Sequence, residues 1–230
     1  YDIDGGNGPN PRLEYQKLRL QKDITGEIGA AYSLFTKIVG ESSSAPVTNA
    51  ILTGKPYPVK ALVINEANVI ATWPQTAKVK QALRQLELLV YMDMFMTETA
   101  QLADIFLPAT SPIESSLLRD YAPTSAPLVM LTQPVIAPLG NSWSDIKFWL
   151  ELGKRIGYRE YFPWQNEEEF YAALLEPTGI TVAQLKQNPG GIFHHQRGER
   201  RYLTEGFHTP SGKAAVSYTH LRAHETGRNL

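Results

Sequence analysis

"LVYMDMFMTETAQLADIFLPAT", Leu89 to Thr110, is the stretch whose reading decides the fold. A strand-forming run ends in Asp93, turns a methionine-rich corner into Thr97-Glu98-Thr99, and re-enters an apolar segment closed by Pro108. Burying a carboxylate is costly unless something pairs with it, and an ordinary core strand has no use for one at its tip. That placement asks for a ligand.

Working outward, "KPYPVKALVIN" leads through two prolines into a strand over Ala61–Asn65. In "TWPQTAKVKQALRQL", Val79, Ala82, Leu83 and Leu86 fall at i, i+3, i+4 and i+7, the one-face spacing of an amphipathic helix. "ELLVYMD" is the next strand, Glu98 to Ala103 a short helix, and "DIFLPA" a third strand. This βαβαβ order with short connections predicts an α/β fold. Its core is an open, mainly parallel Rossmann-like sheet with helices on both faces, followed by an irregular C-terminal helical extension. In such sheets ligands lie beyond the carboxyl ends of the strands, where Asn65, Asn68 and Asp93 fall.

The flanks are read more coarsely. "YDIDGGNGPN" is loop, a short helix is expected around Gly29 to Ile38, and another from Pro46 to Leu52 stops at Gly54. "PLVMLTQPVIAPLG" reads as an extended ledge broken by prolines. "SWSDIKFWLELGKRIG" is a helix with Ser144 as N-cap, Phe148, Leu152 and Ile156 on one face, and Gly157 as its stop. Two short helices follow, the first opened by Asn166 with Glu169, with Pro177 and Gly179 between them. The expected domains are an irregular segment of a larger domain over 1–47 and a cofactor-binding domain over 48–160. A helical extension and linker over 161–213 would lead toward a fourth domain.

Composition excludes more than it assigns. The 230 residues carry a formal charge of -1, with 43% hydrophobic and 20% charged residues, an ordinary globular balance with no basic block for nucleic acid. No apolar run approaches the roughly 20 residues a bilayer span needs. Cysteine is absent, so these residues supply no disulfide, thiolate ligand or iron–sulfur ligation. The chain opens on Tyr1 without a signal-like segment and is expected to be a piece of something longer.

From Lys55 to Glu114 the chain resembles the third domain of molybdopterin oxidoreductases, the catalytic subunits of the dimethyl sulfoxide reductase superfamily. The resemblance rests on Asn68, Asp93, Thr97-Glu98-Thr99-Ala100, Ala103-Asp104, Leu107-Pro108 and Glu114 in that order. It extends over about residues 48 to 213, through "SDIKFWLELGKRIGYREYFPW" and "GFHTPSGK". "ILTGKPYPVKAL" is most similar to the thiosulfate and polysulfide reductase branch. Where many relatives carry glycine and Asn-Pro in the first turn, this chain has Glu66 and Asn68-Val69. After "TPSGK" it departs again: "AAVSYTHLRAHETGRNL" resembles translated sequencing-adapter sequence, so residues 216–230 are expected to be a non-native tail.

The resemblance implies a cofactor, molybdenum bis(molybdopterin guanine dinucleotide). It also implies an iron–sulfur cluster in a preceding part of the parent chain, an iron–sulfur electron-transfer subunit and a membrane-anchor subunit. A respiratory complex outside the cytoplasmic membrane is the compartment it suggests. The metal ligand and substrate residues are expected outside this stretch.

One carboxylate can accept the N1–H and N2 amino donors of guanine in a fork. Asp93 suits that role, against the plainer reading of a solvated or capping aspartate. Met92 would offer the base a soft packing surface, or fill core. Thr97 and Thr99 open a short helix, where hydroxyls can meet a ribose or diphosphate or simply cap. Asn65 and Asn68 are candidates beside ordinary turn asparagines. Asp145 is either a cofactor contact or a carboxylate answering a helix dipole. Glu114 is read as holding the loop after Pro108. His194-His195, "QRGERRY", and His220 with His224 are read as solvated loop or as part of the suspect tail. A stand-alone, non-catalytic nucleotide-binding α/β module and a purely structural domain are the alternatives.

Overall fold

Alternation and apolar periodicity put three parallel strands where the spacing predicts them. The computed structural model describes residues 23–39, 42–121, 128–193, 202–207 and 212–213. The expectations for the amino-terminal loop, the histidine pairs, "QRGERRY" as a whole and the tail lie outside these residues. The chain divides into two compact units, residues 1–195 and 196–230. In the second, a short helix at Tyr202–Glu205 precedes a hydrogen bond from Phe207 N–H to the Gly212 carbonyl at 3.3 Å.

Among the described residues of the first unit, a 3-10 turn at Ile28–Tyr32 comes first, then helices α1 (Ser33–Val39) and α2 (Ser44–Thr53). Gly54 closes α2 in the left-handed region at φ 67, where glycine lacks the Cβ penalty. Strand β1 (Ala61–Asn65) is followed by a one-turn helix α3 (Val69–Thr72) and then α4 (Thr76–Leu83). Strands β2 (Leu88–Asp93) and β3 (Ile105–Pro108) complete the sheet, in the order β1-β2-β3. All pairs are parallel; Asn65 lies opposite Met92, and Asp93 opposite Pro108.

Parallel sheets usually bury both faces; here one face is buried and the other partly so, Met92 being buried while Val63, Val90 and Leu107 are half-buried. On one face Ile64, Leu89 and Tyr91 form a core with Val69, Ile70, Val79, Leu83 and Ala100, Phe106 packing beside them. Side chains of this size each contribute about 1.5–3 kcal/mol on full burial. On the other face Met92 and Leu107 look toward Phe148 and Leu152 of α5 (Asp145–Arg155).

Three local expectations shift. Helix α4 stops at Leu83, so Leu86 packs on the core from the turn beyond it. The helix expected over Glu98 to Ala103 is a 3-10 turn at Ala100–Leu102, anchored by Ala100 N–H donating to Thr97 Oγ1 at 3.2 Å. The ledge belongs to a second, antiparallel sheet of β4 (Leu117–Asp120), β5 (Leu128–Thr132) and β6 (Ile192–Phe193). Helices α6 (Glu167–Leu175) and α7 (Val182–Gln187) cover it, with Val129, Leu131, Tyr171, Leu175 and Leu185 in its core. The caps are as read: Ser144 Oγ accepts from Lys147 N–H, and Asn166 Oδ1 from Glu169 N–H.

One connection aims α5. Beyond β3, Ala109 bridges Trp143 in parallel; Trp143 N–H donates to the Pro108 carbonyl and Thr110 N–H to the Trp143 carbonyl. The chain is thus laid along β3 before Ser144 starts the helix, which sets Asp145 at the carboxyl end of the sheet.

Glu114 holds the intervening loop, as its place in the pattern suggested. It is buried, and its Oε2 accepts from Ser111 N–H at 2.7 Å and Ser111 Oγ, while Oε1 accepts from Leu139 N–H at 2.7 Å. The Ser111 hydroxyl foremost, then the two backbone donors, lowers its pKa. A carboxylate lowered in this way adds stability above its unfolded value and loses it as pH falls through the folded value. Glu114→Gln sets an amide NH₂ against a backbone donor. It is expected to reduce the urea midpoint at neutral pH, the gap from wild type closing as pH drops below about 4.3. Urea titrations at several pH values check this.

Candidate functional site

Asp93 is 9% exposed and makes no ion pair among the described residues. Its oxygens are instead tied from within the protein. Oδ2 accepts the Tyr91 hydroxyl at 2.8 Å, and Oδ1 accepts Phe95 N–H at 3.1 Å. Tyr91 lies two residues back, on the same face of the strand, and is fully buried. Its oxygen in turn accepts the Thr97 hydroxyl at 2.8 Å. Burial, opposed by the Thr97 bond and reinforced by Asp93, raises the Tyr91 pKa and keeps the phenol a donor. A carboxylate offers about four lone-pair sites. One internal donor on each oxygen fixes the group and leaves further acceptor capacity on both.

Around this tip stand more acceptors. Asn65 Oδ1 and Asp145 Oδ1 are buried and have no hydrogen-bond partner. Native structures leave few such atoms unsatisfied. Glu66, next along from β1, feels the charges of Asp145 and Asp93. Its backbone is left-handed at φ 50, with its N–H donating to the Met92 carbonyl at 2.9 Å. A glycine would adopt that conformation without strain.

The remaining candidates separate by burial. Thr99 is fully buried; its Oγ accepts from Ile70 N–H at 3.1 Å and donates to Asn68 Oδ1 at 2.8 Å. It ties the turn after β1 to the turn after β2, and its hydroxyl is spent there. Asn68 keeps its Nδ2 group for other partners. Thr97 is committed to Tyr91 and to capping the 3-10 turn. Met92 is buried on the opposite face from Asp93 and lines a slot of about 260 Å³ with Leu107, Pro108, Trp143, Phe148 and Leu152. Beyond Asp93 the corner is apolar and open, Phe95 being 68% exposed. No group of three or more His, Cys, Asp or Glu suited to a metal occurs among the described residues.

Tyr91 and the Glu66 backbone were missed in the sequence. The signal for Tyr91 was its i, i+2 relation to Asp93, which places both on one face of a strand.

Residues 15–155 match the family model for molybdopterin oxidoreductase. The chain belongs to that family. It is 31% identical over 141 residues to the thiosulfate reductase molybdopterin-containing subunit PhsA of Salmonella typhimurium, covering 61% of this chain and 19% of that protein. It is 34% identical over 131 residues to acetylene hydratase of Syntrophotalea acetylenica, covering 57% of this chain and 18% of that one. A solved structure of acetylene hydratase from Pelobacter acetylenicus superposes with a TM-score of 0.66 at 27% identity. That superposition covers 87% of this chain and 29% of the other. The chain therefore spans about a fifth of the length of the curated relatives it matches.

The strut role of Thr99 is directly testable. Thr99→Val leaves Ile70 N–H and Asn68 Oδ1 without partners in a buried turn, at a cost of about 1–3 kcal/mol. Thr99→Ser keeps the hydroxyl and is expected to retain most of that stability. Urea unfolding of the two variants checks the difference.

Proposed function

We propose that this chain is part of a molybdenum-dependent oxidoreductase catalytic subunit, and that it forms one wall of the binding site for a molybdenum–pterin cofactor in its guanine dinucleotide form. Asp93 grips the guanine, accepting N1–H and the N2 amino group in a fork. The observation that carries this reading is the anchoring of Asp93, held through each oxygen from within and free to accept further bonds on both.

The residues present fit such a group. Asn65 Oδ1 and Asp145 Oδ1 lack partners, and a base edge and ribose hydroxyls are donors that suit them. A run of acceptors suits phosphate poorly, so the base end rather than the diphosphate belongs here. Asn68, through its Nδ2, is a further contact. Thr99, Thr97 and Met92 support the site from behind: Thr99 ties the two turns, Thr97 orients Tyr91, and Met92 packs the opposite face.

When bound, such a cofactor supplies the electron and atom transfer. This chain's residues hold and orient its nucleotide end. The reactions named for the matched relatives differ, a thiosulfate reductase and an acetylene hydratase. That difference favours a shared cofactor wall over a shared substrate pocket. In the complete enzyme, an iron–sulfur electron-transfer subunit and a membrane anchor are the partners we propose.

Equilibrium titration of the chain with GMP, IMP and AMP tests the grip. IMP lacks the N2 amino group, and AMP lacks both donors of the fork. Wild type is expected to bind GMP at least about tenfold more tightly than IMP, one charge-assisted bond being worth about 1.5–3 kcal/mol, and to bind AMP, which loses both bonds, more weakly still. Asp93→Asn is expected to erase that preference with the fold intact by circular dichroism. Equal binding of the three nucleotides by wild type, or an unchanged preference in Asp93→Asn, would overturn the reading.

A further inference from the structure

We propose that Tyr91 is a positioning residue for guanine recognition: its phenol, backed by the Thr97 hydroxyl, sets the plane of the Asp93 carboxylate so that both oxygens meet the base at once. This role rests on the guanine reading above and names the side chain that makes the grip selective.

A forked grip needs more than a carboxylate in the right place. N1–H and the N2 amino group lie side by side on guanine, so each must meet a different oxygen, with the carboxylate close to the plane of the base. The last torsion of an aspartate is broad and turns easily. A donor at one oxygen alone leaves that turn open; a donor at each oxygen closes it. Phe95 N–H supplies the first, to Oδ1 at 3.1 Å, and the Tyr91 hydroxyl the second, to Oδ2 at 2.8 Å. The Phe95 donor is backbone, which every residue except proline carries. The Tyr91 donor belongs to one side chain.

Packing does not explain that hydroxyl. Tyr91 is fully buried in the core with Ile64, Leu89 and Val79, its ring stacked with Phe106 at 6.2 Å between centroids. A phenylalanine would fill the same place with no polar group to satisfy. The direction of the bonds gives the hydroxyl its use. Ala100 N–H donates to Thr97 Oγ1 at 3.2 Å, and the Thr97 hydroxyl donates to the Tyr91 oxygen at 2.8 Å. The phenol is thereby supplied with a donor, and its own proton goes to Asp93. Three bonds run one way, each polarising the next, and end on Oδ2. They begin in the corner after β2 and cross back to the strand, so two chain segments fix the carboxylate rather than one.

Titration of the 230-residue chain with GMP and IMP reads this orientation, because only GMP needs both oxygens. IMP, lacking the N2 amino group, makes its one bond with a carboxylate turned either way. Tyr91→Phe is expected to keep the wild-type circular dichroism spectrum and to lose the preference for GMP over IMP of at least about tenfold, chiefly through weaker GMP binding. A merely structural role would weaken both nucleotides alike. Thr97→Val removes the donor behind the phenol and is expected to give an intermediate ratio; Thr97→Ser restores that donor and is expected to recover the preference. Should Tyr91→Phe fail to fold, this pair decides, and equal ratios in Thr97→Val and Thr97→Ser overturn the proposal. Full GMP preference in folded Tyr91→Phe overturns it as well; if Asp93→Asn has lost that preference, the Asp93 grip stands without the relay. Equal binding of GMP and IMP by wild type removes both.

Discussion

A carboxylate that is buried without a counter-ion must be held by hydrogen bonds, and Asp93 is held by two from its own neighbourhood. That constraint organises the carboxyl end of the sheet. Tyr91 must be buried on the same face to reach Asp93, and it is stacked near Phe106 with ring centroids 6.2 Å apart. Thr97 must turn back to meet the Tyr91 oxygen, which fixes the corner after β2. Phe95 must present its N–H to Asp93, which leaves its ring outward. The core under the strand and the polar tip above it are thus one connected object.

The same economy holds the flanking turns. Thr99 locks the turn after β1 to the turn after β2 through Asn68 and Ile70, across 29 to 31 residues of chain. Asp104 does the equivalent at the other end, its Oδ2 accepting from Leu89 N–H at 2.7 Å while its own N–H donates to the Leu89 carbonyl. Polar residues in the family pattern therefore divide by depth. Those turned inward tie strands and loops; those at the tips keep acceptor capacity in hand. Rigid placement of this kind is what a site needs if a loose ligand is to be bound in one orientation.

The sheet and its direction were legible in the sequence because continuous apolar runs of strand length joined by short crossovers leave few alternatives. Helix caps at Ser144 and Asn166 were legible because a side-chain oxygen before an apolar periodic run has few other uses. The antiparallel sheet was not. "LLRD" is short and mixed, β6 has only two residues, and both depend on pairing with the distant β5. At the site, Asp93 was visible because a charge closing an apolar strand is conspicuous. Thr99 looked like a helix opener, and only tertiary packing reveals that its hydroxyl faces inward. Glu66 stood out as a departure from the family pattern, but its left-handed backbone is set by folding.

The central claim is that the base of a guanine nucleotide seats on the Asp93 carboxylate. Carbon-detected NMR of the chain, following the side-chain carboxyl and amide carbons during GMP addition, reports on it most directly. Saturable shifts at Asp93, with smaller ones at Asn65 and Asp145 and none in the antiparallel sheet, are the expected result. Shifts confined to other surfaces, with the Asp93 carboxyl carbon unmoved at saturation, would contradict it.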